Sequence, residues 1–259
     1  KGMGKEMNMT QKSTPNQSSR NGYKPCLIVW HIADGTYNGT VAWEMNRESQ
    51  VSSHFVLGQN GEVTQLVPLE RAAWTQGVVK NPTHPYVKAH SGVNPNQYCI
   101  SIECEGVWSE TKGALTDKQL AAAAELTRYI VAEVKRIYKV DIPIDREHMI
   151  GHCEINPVTR PHCPGEEFPY DALIAAVKGE MEIPVGSQKL AYTVQCGAFA
   201  DADNAAKLYA KLDDKGYFVF FQNEATIKVC VGKFASSEEA QKTCDDLKKK
   251  GFAGFVTTI

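Results

Sequence analysis

From Val194 onward the chain states one pattern twice. Val194, Gly197, Phe199, Ala205, Leu212, Gly216, Tyr217 and Phe220 recur 35 positions later as Val229, Gly232, Phe234, Ala240, Leu247, Gly251, Phe252 and Phe255. Each copy reads as a strand, a helix, a glycine suited to a helix C-terminus and a second strand. The pair therefore predicts a βαββαβ unit with both helices on one sheet face. Two copies are too few for a solenoid, which needs at least three stacked repeats, so they close into a small α+β domain over 190–259. Ahead of it, 180–189 contains Pro184, Gly186 and Ser187 and has the composition of a linker.

The rest of the 259 residues is long enough to bury a core of its own. Lys24 to His31 is an apolar run of buried-strand length that leaves His31 at the strand's end. Asn60-Gly61 between two apolar stretches in Ser53 to Val67 signals a hairpin. In Tyr98 to Glu105, Ile100, Ile102 and Cys104 share one face, while Ser101 and Glu103 share the other. Thr116 and Gln119 form a capping box ahead of a long amphipathic helix that carries Leu120, Ala124, Thr127, Ile130, Val131, Val134 and Tyr138. A short strand near Met149 to Gly151 delivers His152, a Pro-rich loop carries Cys163, and a helix follows around Tyr170 to Lys178. This alternation predicts an α/β domain over 23–179 with a mixed central sheet flanked by helices. The polar stretch 1–22 reads as an N-terminal arm. Lys1 to Met9 lacks the apolar stretch of a secretory signal, with a native start expected near Met7 or Met9.

A net charge of -2 gives no general pull toward nucleic acid or anionic lipid, and it suits a neutral polymer. No apolar run approaches the roughly 18 residues that span a bilayer. Eight irregularly spaced cysteines in a chain with a real core predict reduced thiols and synthesis in a cytoplasm. Cys99 and Cys104 have opposite strand parity and do not bridge.

His31, His152 and Cys163 would make a metal site of two imidazoles and one thiolate with a fourth position open, the arrangement of a catalytic zinc. Taken singly, composition favours a hydrogen-bonded core histidine for His31 and an inert buried thiol for Cys163. His84, His90 and His148 read as surface residues.

Six motifs shift that balance. Ile28-Val-Trp-His31, Val51-Ser-Ser-His54-Phe with Gly61-Glu-Val-Thr-Gln-Leu-Val-Pro68, Ala73-Trp74, Ile100-Ser-Ile-Glu103, Gly151-His-Cys-Glu-Ile-Asn-Pro157 and Cys163-Pro-Gly165 follow one another in order. Over 16–177 the chain thereby resembles the zinc-dependent N-acetylmuramoyl-L-alanine amidases (amidase type 2). That family includes phage amidase-type lysozymes, cytoplasmic anhydro-muropeptide amidases and animal peptidoglycan recognition proteins. The resemblance implies one zinc ion on His31, His152 and Cys163, with Glu103 as the catalytic carboxylate. Much of the family has a lysine two residues before the third ligand, where Pro161 stands here. Arg160 is then the expected partner of the oxyanion and His162 its competitor. Some phage members have a tyrosine where Ser53 stands, which puts more weight on Glu103. The resemblance makes Trp74 a wall of the substrate groove and gives His54 a role in substrate contact or packing. Thr75 stands where relatives often have histidine.

Tyr192 to Phe199 and Val229 to Phe234 resemble the sporulation-related repeat (SPOR) domain, which binds septal glycan. Alternation puts Gln195 opposite Val194, on the open sheet face, as a glycan contact. The same fold class serves RNA recognition, but the balanced charge and lack of an aromatic RNP pattern argue against it. An inert spacer is the remaining alternative.

Together these resemblances imply an enzyme that cuts the amide between N-acetylmuramic acid and L-alanine of peptidoglycan. Its expected setting is a phage or prophage endolysin, made in the cytoplasm without a signal peptide and acting at the cell wall as a monomer, with no nucleic acid partner and no membrane insertion. A host autolysin, a stem-peptide peptidase and a non-catalytic peptidoglycan receptor are the alternatives.

Overall fold

The structure, a computed structural model, describes residues 7, 9–181, 192–223, 226–234 and 236–259. It divides into two compact units, Lys1–Val185 and Gly186–Ile259. Apart from Glu180 and Met181, the linker expected at 180–189 lies outside the described residues.

The first unit runs β1 (Thr10–Gln11), β2 (Gln17–Ser19), β3 (Leu27–Ile32), α1 (Tyr37–Met45), β4 (Phe55–Leu57), β5 (Val63–Gln65), β6 (Arg71–Ala73), α2 (Pro85–Ala89), β7 (Cys99–Cys104), α3 (Trp108–Thr111), α4 (Asp117–Tyr138), β8 (Met149–Gly151), α5 (His152–Ile155) and α6 (Tyr170–Lys178). Six strands form a sheet in the order β1-β5-β4-β7-β3-β8. The sheet is mixed, because only β4 and β5 pair antiparallel while β3 runs parallel to both β7 and β8. The expected capping box opens α4, where Thr116 Oγ1 accepts from Gln119 N at 3.0 Å and Gln119 Oε1 accepts from Thr116 N at 3.2 Å.

Strand parity separates core from chemistry. Ile28, Trp30, Ile100, Ile102 and Cys104 pack on Ala123, Leu126, Ile130 and Val134 of α4 and Leu173 of α6. On the opposite face the register pairs Leu27 with Cys99, Val29 with Ser101 and His31 with Glu103. That face begins apolar, with Leu27, Val29 and Cys99 packed beside Val87, Tyr98, Ile150 and Ile155. It ends at a histidine and a carboxylate lying side by side on neighbouring parallel strands.

Residues 9–22 do not form an arm. β1 pairs with β5 and β2 with β6, and Thr14, Asn16 and Arg20 are buried. Arg20 donates to the carbonyls of Leu69 (2.8 Å), Gln97 (2.8 Å) and Cys99 (3.1 Å). The segment is polar because it satisfies buried backbone groups, a pattern that composition alone does not distinguish from solvation.

The second unit runs β9 (Tyr192–Phe199), α7 (Ala202–Asp213), β10 (Val219–Asn223), β11 (Ile227–Phe234), α8 (Ser237–Lys249) and β12 (Phe255–Thr258). Its antiparallel sheet has the order β10-β11-β9-β12. The repeated positions are its core: Val194 and Val229 on the sheet face Ala205, Leu212, Ala240 and Leu247 on the helices. The repeated Gly197 and Gly232 let the rings of Phe199 and Phe234, two residues on, lie where a Cβ would stand.

Candidate metal centre

β3 brings His31 to its C-terminal end, β8 turns directly into α5 at His152, and the loop after α5 carries Cys163. The three side chains are buried, and one ligand atom from each lies within 4.8 Å of the others, the one such group of three among the described residues. His31 Nδ1 stands 3.1 Å from His152 Nδ1 and 3.8 Å from Cys163 Sγ.

Hydrogen bonding behind the rings decides where their lone pairs point. His152 Nε2 lies 3.1 Å from the Gln76 carbonyl, an acceptor only, so the imidazole carries its proton on Nε2 and turns the Nδ1 lone pair toward the cluster. The Gln76 side chain is buried between Ser101 Oγ (2.8 Å) and His31 Nε2 (3.5 Å), through its Nε2 position, while its Oε1 has no partner. Turning that amide over places its oxygen where both Ser101 and His31 Nε2–H donate to it. Both Nδ1 lone pairs then face each other, and a cation relieves the repulsion between them. The donor set fits zinc by its chemistry, two imidazole nitrogens and a sulfur in a buried pocket.

Burial holds His31 well below the usual imidazole value, with His152 and Arg160 adding to the effect. It lowers His152 to about 4. Both rings are therefore neutral near pH 7, as metal ligation requires. Burial also pushes the Cys163 thiol up, with the nearby Glu103 charge second; a bound cation acts in the opposite sense.

Glu103 is 16% exposed and its Oε1 lies 3.9 Å from His31 Nδ1. Its Oε2 is buried without a hydrogen-bond partner. Burial pushes this carboxyl well above the usual range, and Glu44 is the largest charge acting in the same direction. His31, His152, Cys163, Glu103 and Glu44 line a cavity of about 870 Å³ together with Trp74, Trp108, Arg160 and His162. Arg160 is exposed, and its Nη1 donates to the Thr159 carbonyl. His162 stacks on Trp108 with ring centroids 4.3 Å apart.

One open reading closes and one expectation needs correction. His54 does not reach the cavity. It is fully buried, its Nδ1 accepts from Ser101 N at 3.0 Å, and its Nε2 lies 2.8 Å from Arg20 Nη2 and 3.0 Å from the Arg71 carbonyl. A ring used on both nitrogens by the fold is a packing residue. His84 is buried rather than superficial, with its Nε2 at 2.9 Å from the Glu147 carbonyl. In the second unit Gln195 is half-buried between Cys230 of β11 and Phe255 of β12.

Sequence reasoning missed Gln76, whose loop is held by Asn96 Oδ1 accepting from Thr75 N and Gln76 N. It also missed α1 and its Glu44, although Thr36, which caps Gly39 N, is a readable helix start.

Residues 21–166, more than half of the chain, match the family described as N-acetylmuramoyl-L-alanine amidase. The chain belongs to that family. Residues 191–258 match the SPOR domain. This amidase-family chain is 31% identical over 172 residues to the 1,6-anhydro-N-acetylmuramyl-L-alanine amidase AmpD of Salmonella typhimurium, covering 60% of this chain and 81% of that one. With the Haemophilus influenzae protein of the same name it shares 29% over 131 residues, which is 51% of this chain and 61% of that protein, somewhat under two thirds of its length. Among solved structures, a selenomethionine derivative of AmpD matches with a TM-score of 0.49 and 23% identity, over 65% of this chain and 94% of that one.

Proposed function

We propose that the chain is a zinc-dependent N-acetylmuramoyl-L-alanine amidase. It hydrolyses the amide that joins the lactyl group of N-acetylmuramic acid to the L-alanine of the stem peptide, and its second unit holds it on wall glycan. One observation carries the reading: in a chain of this family, Glu103 pairs in register with His31 at a cavity also lined by His152 and Cys163.

His31, His152 and Cys163 would hold one zinc ion. Bound there, zinc lowers the pKa of a water toward about 7 and polarises the scissile carbonyl. Glu103 takes a proton from the attacking water on its unpartnered Oε2 and passes it to the departing nitrogen as the C–N bond breaks, a task suited to a carboxyl whose proton affinity burial has raised. Arg160 offers positive charge to the oxyanion. His162, already stacked on Trp108, helps Trp74 to wall the groove. Gln195 would contact glycan strands from the second unit, beside the exposed Phe255. Lysis from within a host, the endolysin role, calls for this pairing of wall hydrolysis with wall binding, and a host autolysin would use the same parts.

Digestion of purified walls tests the reading. New amino-terminal L-alanine without new reducing sugars is expected. A different terminal residue would mean a stem peptidase, and wall binding with no product would mean a receptor.

A further inference from the structure

Glu44, in the last turn of α1, has no role in the chemistry above, yet it is one of the most deliberately held side chains in the molecule. It is 4% exposed and lines the cavity. Its Oε2 accepts from both Ser53 N and Ser53 Oγ at 2.7 Å. Its backbone carbonyl accepts from Thr14 Oγ1 at 2.5 Å and from Asn16 Nδ2 at 3.4 Å. The N-terminal segment thus fixes the main chain while Ser53, two residues before β4, fixes the carboxylate. Among the described residues nothing donates to Oε1 and no cation pairs with the group. Burying a carboxylate without a counter-charge costs several kcal/mol in general. A fold that only needed to fill this place would use an apolar side chain. Trp43, the neighbouring residue, stands 57% exposed at the same cavity.

We propose that Glu44 is a substrate-binding residue, its free Oε1 accepting a hydrogen bond from an N–H or O–H donor of the muramoyl peptide. This rests on the amidase reading for its ligand, but not for its test. The donor comes from one of two sources, a sugar hydroxyl or acetamido N–H on the muramic acid side, or a backbone N–H of the stem peptide. Ser53 is part of the device, because its two donors occupy Oε2 and leave Oε1 for the ligand.

The discriminating variant is Glu44→Gln. Ser53 N demands an acceptor, so the glutamine oxygen turns toward it and the amide NH2 takes the place of Oε1, a donor facing a donor. In the zinc-loaded full chain, KM for a soluble muramoyl peptide should rise on the order of tenfold to a hundredfold, the loss of one hydrogen bond to a charged group, while kcat stays within a few-fold. Ser53→Ala should move KM the same way by a smaller factor. Calorimetric titration with N-acetylmuramic acid and with free stem peptide identifies the donor: Glu44→Gln should weaken one of the two and spare the other. An unchanged KM, a fall in kcat alone, or unaltered affinity for both products would overturn the proposal. If the parent chain releases no amino-terminal L-alanine, the amidase reading fails, and the two titrations still decide the role of Glu44.

Discussion

The two units bury polar atoms very differently. Among the described residues the first buries Arg20, His31, Glu44, His54, Gln76, Ser101 and His152, with orphaned atoms on Trp30, Gln76, His84, Tyr98, Glu103 and Tyr170, whereas the second buries a single polar residue, Thr193, whose hydroxyl donates to the Gly232 carbonyl. Unsatisfied buried polar groups cost stability, and two of these, Gln76 Oε1 and Glu103 Oε2, belong to side chains beside His31. The comparison locates reaction in the first unit's interior and leaves the second unit only its surface with which to act.

Substitutions in the two interiors should therefore separate activity from stability. Glu103→Gln preserves shape and removes the proton acceptor. It should cut kcat by about 10²- to 10⁴-fold while zinc content, measured by elemental analysis, stays that of the parent. Leu247→Ala in the second unit should destabilise that unit by about 2–5 kcal/mol, seen as an earlier urea transition, and leave hydrolysis of a soluble muramoyl peptide unchanged. If it abolished that hydrolysis, the division of labour would be wrong.

Glu44 gives the contrast a pH signature. Burial raises its carboxyl from 4.5 to about 7. Between those values the folded state holds a proton that the unfolded chain has released. Its contribution therefore falls as pH rises from about 4.5 to 7 and is flat above. Glu44→Gln should remove that slope, gaining about 1–3 kcal/mol over the parent at pH 8 relative to pH 4.5 by urea denaturation. A gap independent of pH would refute the assignment. The smallest effect is expected at Gln76→Ala, where His31 loses the side chain that orients it while the backbone carbonyl still holds His152; zinc binding should weaken about 10- to 100-fold in a chelator competition.

Much of this was legible because it is periodic. The 35-residue repeat displayed the second unit's core, since each repeated valine, alanine and leucine meets its counterpart across one sheet face. Alternation in β7 likewise put Glu103 on the face opposite Ile100 and Ile102. What escaped was aperiodic. Arg20 and Asn16 looked like solvated residues because their partners are backbone carbonyls from distant segments. The motif around His54 leaves substrate contact and packing equally open, and only its neighbours Ser101, Arg20 and Arg71 decide for packing. Gln76 and Glu44 lie in a loop and a short helix whose sequences carry no signal of what surrounds them. Their roles come from tertiary neighbours, Ser101 and His31 for one and Ser53 for the other.

The proposed amide hydrolysis depends on a metal held by His31, His152 and Cys163. Its most direct test measures zinc by elemental analysis and amino-terminal L-alanine release from walls, together, on the parent and on Cys163→Ser. One zinc per parent chain is expected, and loss of both zinc and L-alanine release in the variant, with release from the parent stopped by chelation and restored by added zinc. Undiminished release of L-alanine by metal-free parent protein, or by Cys163→Ser without zinc, would contradict it.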